Sequence, residues 1–219
     1  MIDYKWTLAI TAIIMCIAVV AVKVIDETRL DSLSKQVSES TLEGDTTRLL
    51  FLYAQTMQYE NSSELCDIID FNTKRQMDIG YKLITLLKMY EETNLLSDYK
   101  EVRSRYFLSN VELWLYTTQG IKLCNQSKVV PIIFFYEANS KCPDCIAQGK
   151  TLDNIREKCT NVRIISLPTD EDLDIINLIR SKFKVTSAPT VIINNKIILK
   201  GIQSEESITK NMECISGNG

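Results

Sequence analysis

One closely spaced pair of cysteines, Cys142-Pro143-Asp144-Cys145, restricts the possible folds most strongly, because it lies between an apolar run and a segment with helical spacing. Residues 129–136, VVPIIFFY, form a continuous apolar run, which predicts a strand buried on both faces of a sheet. Residues 146–158 have the spacing of a helix. Two cysteines at the start of a helix, directly after a buried strand, indicate a dithiol that can open and close as a disulfide.

The chain after this pair alternates between helical and strand-like segments. The sequence predicts five further elements: a strand at 162–167, a helix at 170–183, strands at 191–193 and 196–199, and a helix at 204–214. The predicted order from residue 129 onward is therefore β-α-β-α-β-β-α. A second motif, Ala188-Pro189-Thr190, leads into the third strand. The two motifs in this element order resemble the thioredoxin superfamily over residues 129–214, so we expect a thioredoxin-like α/β domain.

The resemblance implies a thiol–disulfide oxidoreductase that acts on protein disulfides. Cys142 is the expected nucleophile, because the unpaired N–H groups and positive dipole end of a helix N-terminus stabilise a thiolate. Cys145, one turn later, would resolve the mixed disulfide. Such a protein needs protein substrates and a redox partner that recycles the pair, but no cofactor and no metal. The direction of electron flow, reductase against oxidase or isomerase, stays open.

Six further residues influence the cysteine pair in this hypothesis. Pro143 suits the first helical turn, where its missing N–H has no intrahelical partner. Lys141 should favour the thiolate, while Asp144 opposes it by like-charge repulsion. Glu137 is the nearest acid that could accept a proton from the resolving cysteine. By resemblance, Ala188 and Pro189 form the backbone edge that receives an extended substrate peptide.

Six of the seven cysteines lie outside the apolar N-terminal run, an even number that fits disulfides in an oxidising compartment. Cys66 and Cys124 lie near the two ends of the helical middle region and would join them. By resemblance, Cys159 and Cys214 close two helices on the same face of the sheet and would form a second structural disulfide. For each pair, two buried free thiols are the alternative.

Residues 1–25 are predicted to anchor the chain in a membrane. No charge occurs between residues 6 and 22, and Lys23 can extend the apolar span to residues 6–25 by placing its ammonium at the interface. Tyr4 and Trp6 fit an interfacial aromatic belt. We therefore expect a single-pass membrane protein with its C-terminal bulk outside the cytoplasm. The flanking charges alone favour the opposite orientation, whereas the cysteines favour this one.

Residues 26–125 are predicted to be helical, since they contain no proline and repeat apolar residues at three- and four-residue spacing. The predicted domains are thus an anchor (1–25), a helical region (26–125) and a thioredoxin-like domain (126–219). The helical segments expected within the middle region are 26–58, 74–93 and 97–124. In the second helix, one amphipathic stripe is expected to hold Met77, Tyr81, Ile84, Leu87 and Lys88.

Composition excludes several function classes. The chain has no histidine, which removes histidine-based triads and histidine-ligated zinc sites. Its net charge of -3 gives no basic field for nucleic acid. Two alternatives to the enzyme remain open. One is a non-catalytic thioredoxin-like interaction module in which Cys142 and Cys145 form a structural disulfide, and the other is soft-metal binding by the same two thiols.

Overall fold

The computed structural model describes residues 11–21, 62–93, 96–138 and 142–216 of the chain. It divides into two compact units, residues 1–53 and residues 54–219. In the first unit the described residues 11–21 are helical and solvent-exposed, and we call this helix α1. The predicted helix at 26–58 lies outside the described residues. All further elements belong to the second unit.

The prediction of a membrane anchor is wrong for the part of the chain that the structure describes. None of the described helices is both long and apolar enough to cross a bilayer. The longer helices carry charged side chains along their length. The predicted fold class therefore loses its N-terminal transmembrane helix. The predicted single-pass membrane location, which depended on that helix, is wrong for the same reason.

The second unit begins with two long helices, α2 (Ser62–Thr93) and α3 (Leu96–Leu123). They run antiparallel, because Cys66 near the start of α2 is disulfide-bonded to Cys124, the residue that directly follows the end of α3. Polar contacts lie inside this helical pair. Gln76 Nε2 donates to Glu112 Oε2 at 2.6 Å, and Gln76 Oε1 accepts from Ser109 Oγ at 3.1 Å. Because the nitrogen and the oxygen of this buried amide both have partners on α3, the contact fixes the register of the two helices.

A four-stranded mixed sheet follows, with strand order β2-β1-β3-β4. Its strands are β1 (Val130–Tyr136), β2 (Val162–Pro168), β3 (Thr190–Ile193) and β4 (Ile197–Lys200). β1 pairs parallel with β2 and antiparallel with β3. The connecting helices are α4 (Pro143–Lys158), α5 (Asp174–Lys182) and α6 (Glu205–Thr209). The element order is the one expected from the thioredoxin resemblance.

Both faces of the sheet are covered, as the apolar run of β1 predicts. Alternate β1 residues point to opposite faces, so Ile133 and Phe135 belong to one core cluster and Ile132 and Phe134 to the other. The first cluster is closed by α3 and α5, and the second by α4 and α6. The two clusters make a three-layer sandwich around a central strand.

Helix α3 belongs to both the helical pair and the sandwich. Phe107 and Trp114 pack into the first core cluster, with exposed fractions of 2% and 5%. The Trp114 indole N–H donates to Asn195 Oδ1 in the β3–β4 turn at 2.7 Å. Arg103 on α3 forms an ion pair with Glu171 ahead of α5. The boundary expected between residues 125 and 126 stays a prediction, and the core of the sandwich extends across it.

The last helix is shorter than the sequence suggests, since α6 ends at Thr209 whereas residues 204–214 were predicted. The chain beyond it turns back toward the start of β2. Asn161 Nδ2 donates to Glu213 O at 2.8 Å, and Asn161 Oδ1 accepts from Ile215 N–H at 2.9 Å. These hydrogen bonds to a buried asparagine compete with continued helix, and they place Cys214 against Cys159, to which it is disulfide-bonded.

Candidate active site

The cysteine pair forms the N-terminus of α4. Cys142 is the N-cap residue, with extended backbone angles, and Pro143 follows at the first helical position. The Cys142 Sγ accepts a hydrogen bond from the Cys145 backbone N–H at 3.1 Å. A cap side chain normally satisfies one of the orphan N–H groups of a helix, and here the sulfur does so. The local sequence therefore places the sulfur of Cys142 at the N-terminus of α4, which is the positive end of the helix dipole.

The two sulfurs are joined in the structure, with 5.2 Å between the Cα atoms of Cys142 and Cys145. They differ in exposure: Cys145 is 5% exposed and belongs to the core cluster, whereas Cys142 is half-buried at its edge. An incoming sulfur therefore reaches Cys142 more easily than Cys145. The order of attack expected from the sequence stays a prediction.

The loop before β3 packs against the same cluster as the cysteine pair. The Ala188–Pro189 peptide bond is cis, and half-buried Ala188 contacts the cluster that includes Cys142 and Cys145. The loop is held by its own hydrogen bonds: Thr190 Oγ1 donates to Ser187 O at 2.7 Å, and Pro189 O accepts from Gly201 N–H at 2.9 Å. The structure thus brings the two sequence motifs to one place.

A pocket of about 430 Å³ opens beside the cysteine pair. Cys142 and Cys145 line it together with residues of α2 and α3. The end of β1 contributes Tyr136, whose ring stacks on Phe134 with centroids 5.5 Å apart. The helical pair therefore forms part of the lining of the candidate site.

Three side chains set the electrostatics of this pocket. Burial raises the pKa of Tyr136, with the neighbouring Tyr106 adding to the effect. Burial also raises the pKa of Tyr106 and outweighs its hydrogen bond to Asn110, which acts in the opposite direction. Both phenols stay protonated at neutral pH. For Arg103, burial lowers the pKa, but the hydrogen bond and charge of Glu171 outweigh it, so the net pKa is raised.

Glu137 and Lys141 remain predictions in their supporting roles. Glu137 is exposed at the end of β1 and lines the same pocket as Cys142 and Cys145. Lys141 lies outside the described residues, so its position relative to Cys142 is not described. Pro143 is exposed at the start of α4, and Asp144 lies in the first turn of that helix.

The other two disulfides lie away from the pocket and join distant parts of the chain. They link Cys66 to Cys124 and Cys159 to Cys214, with sequence separations of 58 and 55 residues. They are the two pairs suggested as structural from the sequence. Cys16, on α1, is a free and exposed cysteine. In the described part of the chain, no group of three or more metal-ligating side chains comes together.

Sequence reasoning missed the contribution of α3 to the site. Tyr99, Arg103 and Tyr106 line the pocket together with Phe107. Their spacing of four and three residues places them on one face of a helix, and this signal was present in the predicted helix at 97–124. Gln148 was also not predicted; it is a fully buried side chain of α4 whose Oε1 accepts from Gln203 N–H at 2.6 Å.

Comparison with known proteins returns little. No protein-family model matches the chain, and no curated protein does. Among solved structures, it is similar to chloroplastic thioredoxin z, at 20% sequence identity, over 42% of this chain and 84% of that one, with a TM-score of 0.31. The thioredoxin-like assignment rests on the strand order and the two motifs described above, independently of this match.

Proposed function

We propose that this protein is a thiol–disulfide oxidoreductase that acts on protein disulfides through Cys142 and Cys145. The observation that carries the proposal is the cap geometry of α4. The Cys142 sulfur accepts a backbone N–H at a helix N-terminus and is more exposed than Cys145. These surroundings stabilise a thiolate at the position that an incoming disulfide reaches first.

The exchange proceeds in two displacements. In the reduced protein, the Cys142 thiolate attacks one sulfur of a substrate disulfide, and the substrate S–S bond breaks as its electron pair leaves on the other sulfur, which takes up a proton. Cys145, as a thiolate, then attacks Cys142 and releases the second substrate thiol. The substrate gains two electrons, and the protein becomes the Cys142–Cys145 disulfide. A dithiol partner returns it to the reduced state. Run in reverse, the same steps oxidise a substrate.

Substitution of each cysteine tests this division of roles. Cys142→Ser should lower disulfide exchange to the uncatalysed background, because the nucleophile is lost. Cys145→Ser should accumulate mixed disulfides with the substrate, which non-reducing electrophoresis detects. Cys16→Ser is the matched control and should keep wild-type activity, since Cys16 lies on α1 and is not in a disulfide. Full activity in Cys142→Ser would contradict the proposal.

The reduction potential of the Cys142–Cys145 pair gives the direction of electron flow. Equilibration against glutathione, followed by thiol alkylation, measures it. A value of about -270 mV indicates a reductase, and one between about -120 and -180 mV indicates an oxidase or isomerase. A pair that stays oxidised at every accessible potential would favour the non-catalytic interaction module instead.

A further inference from the structure

The pocket beside the cysteine pair has the size of a binding site rather than a packing defect. Its volume of about 430 Å³ lies within the range of ligand pockets, roughly 300–1,000 Å³. Its lining combines Cys142 and Cys145 with Ile84 and Leu87 of α2 and with Tyr106 and Phe107 of α3. Most of this lining is apolar or aromatic. A group bound there would touch both the helical pair and the reacting disulfide.

The interior of the pocket has no uncompensated charge among the described residues. The Arg103 guanidinium is paired with Glu171, and the two side chains are only 14% and 20% exposed. The phenols of Tyr106 and Tyr136 stay neutral because burial raises the pKa of each. Charged groups outside the ion pair are exposed at the rim, where Lys88 and Glu137 have opposite signs.

The inner wall is also built from flat π surfaces. The Arg103 guanidinium carbon lies 5.9 Å from the centroid of the Tyr99 ring and 5.7 Å from that of Phe107. Aromatic rings pack favourably against both rings and guanidinium planes. A charged occupant would find unpaired charges only at the exposed rim and none in the interior, so the inner lining favours a neutral, planar group.

On the basis of the proposed exchange chemistry, we infer that this pocket binds an aromatic side chain next to the reactive cysteine of a protein substrate. Because Cys142 itself lines the pocket, the aromatic residue lies within one or two positions of the substrate cysteine, at about 3.3–3.6 Å of extended chain per residue. The helical pair thus selects substrates for the cysteine pair. Glutathione disulfide, with several carboxylates and ammonium groups, fits this lining poorly.

Two peptides test the inference on the full chain. Each has one intramolecular disulfide, and they differ only in the residue after one cysteine, Phe or Ala. The kcat/KM of the wild-type protein should be about tenfold higher for the Phe peptide, as expected for burial of one aromatic side chain. Hydroxyethyl disulfide, which is neutral and too small to fill the pocket, measures exchange without selection.

A charged substitution in the pocket wall provides the matched comparison. Ile84→Glu places a carboxylate in the lining and should reduce the Phe-to-Ala ratio to about one. Ile79→Glu makes the same change at a half-buried site of α2 away from the pocket, and the ratio and hydroxyethyl disulfide turnover should stay at wild-type values. Circular dichroism confirms that both variants are folded.

A binding measurement keeps the result independent of turnover and of variant folding. Calorimetry with wild-type protein and thioether analogues of the two peptides should show tighter binding of the Phe analogue by about tenfold. Turnover of hydroxyethyl disulfide with equal rates and affinities for both peptides would overturn this inference alone. Preferential Phe binding without turnover of any disulfide would overturn the proposed function and leave the pocket assignment standing. If folded Ile84→Glu kept the Phe-to-Ala ratio of kcat/KM, the inference that this pocket binds the aromatic side chain would also be overturned.

Discussion

The disulfide at the start of α4 and the disulfide that joins α2 to α3 lie in regions of different character. Cys142 and Cys145 are three residues apart, so their bond encloses almost no chain. Cys66 and Cys124 are 58 residues apart and close the whole helical pair. A bond that closes a long loop restricts the unfolded chain strongly, and one that closes a short loop restricts it little. The Cys66–Cys124 disulfide therefore stabilises the helical pair, whereas the Cys142–Cys145 disulfide at the start of α4 can open at small cost to the stability of the fold.

The two regions nevertheless share one core. Phe107 and Trp114 of α3 are buried among side chains of β1, β2 and α5. Because α3 covers one face of the sheet, the helical pair should unfold together with the sheet rather than before it. The following predictions test this coupling and the contrast between the two disulfides, in order of decreasing effect.

Removal of a shared core side chain should have the largest effect on stability. Phe107→Ala leaves a cavity between α3 and the sheet and should lower the free energy of unfolding by about 4 kcal/mol. Phe71→Ala removes the same side chain from an exposed site of α2 and should change it by less than about 0.5 kcal/mol. Urea denaturation followed by circular dichroism measures both. Equal losses would mean that α3 contributes no more to the core than α2 does.

Removal of the Cys66–Cys124 disulfide should lower stability somewhat less than Phe107→Ala does. The double variant Cys66→Ala/Cys124→Ala should lose about 2–4 kcal/mol, the upper figure following from the loop length alone. The control Cys142→Ala/Cys145→Ala should lose less, since its disulfide closes a short loop. A single urea transition in the first variant supports one cooperative unit. Two separate transitions would show that the helical pair and the sheet unfold independently.

Removal of the ion pair between the two regions should have a smaller effect. Glu171→Gln leaves the mostly buried Arg103 guanidinium without its carboxylate and should lower the free energy of unfolding by about 1–2 kcal/mol. Asp172→Asn, at the next and exposed position, should change it by less than about 0.5 kcal/mol. Thermal unfolding of the two variants makes the comparison, and a neutral Glu171→Gln would assign the contact between the regions to apolar packing alone.

The smallest effect appears at high pH. Burial raises the pKa of Tyr136 above the ordinary value of about 10, so the folded state holds this proton more tightly than the unfolded state. Its contribution to stability is complete below about pH 10 and declines by up to about 1.4 kcal/mol per pH unit above it. Tyr136→Phe should show a shallower alkaline loss of stability than wild type in urea titrations from pH 9 to 11. Tyr81→Phe, at an exposed site, should follow wild type.

The sheet could be predicted from the sequence because its signals are local. The apolar run of β1, the helix that opens with Cys142, and Pro189 before β3 each fix an element within a few residues. The end of α6 was missed, since the tail is turned by Asn161, which lies far away in sequence. No periodicity encodes such a long-range hydrogen bond.

The helical pair was harder to predict. The stripe expected on α2 included Met77 and Tyr81, which are 40% and 75% exposed. Leu87 of that stripe is buried, but the rest of the buried face is formed by other residues, among them Ile69, Leu83, Leu86 and Tyr90. Apolar residues lie all around this helix, so spacing alone cannot choose which face packs. For the same reason, the aromatic wall of the pocket on α3 emerged only from the structure.

The position of Trp114 gives the molecule a built-in optical reporter. The chain contains two tryptophans, Trp6 and Trp114. The indole of Trp114 lies between α3 and the β3–β4 turn, with its N–H on Asn195 and the Lys182 ammonium 5.2 Å from its ring centroid. In a Trp6→Phe background, all tryptophan emission would come from this contact. A red shift would then record the separation of α3 from the sheet in real time and without a label.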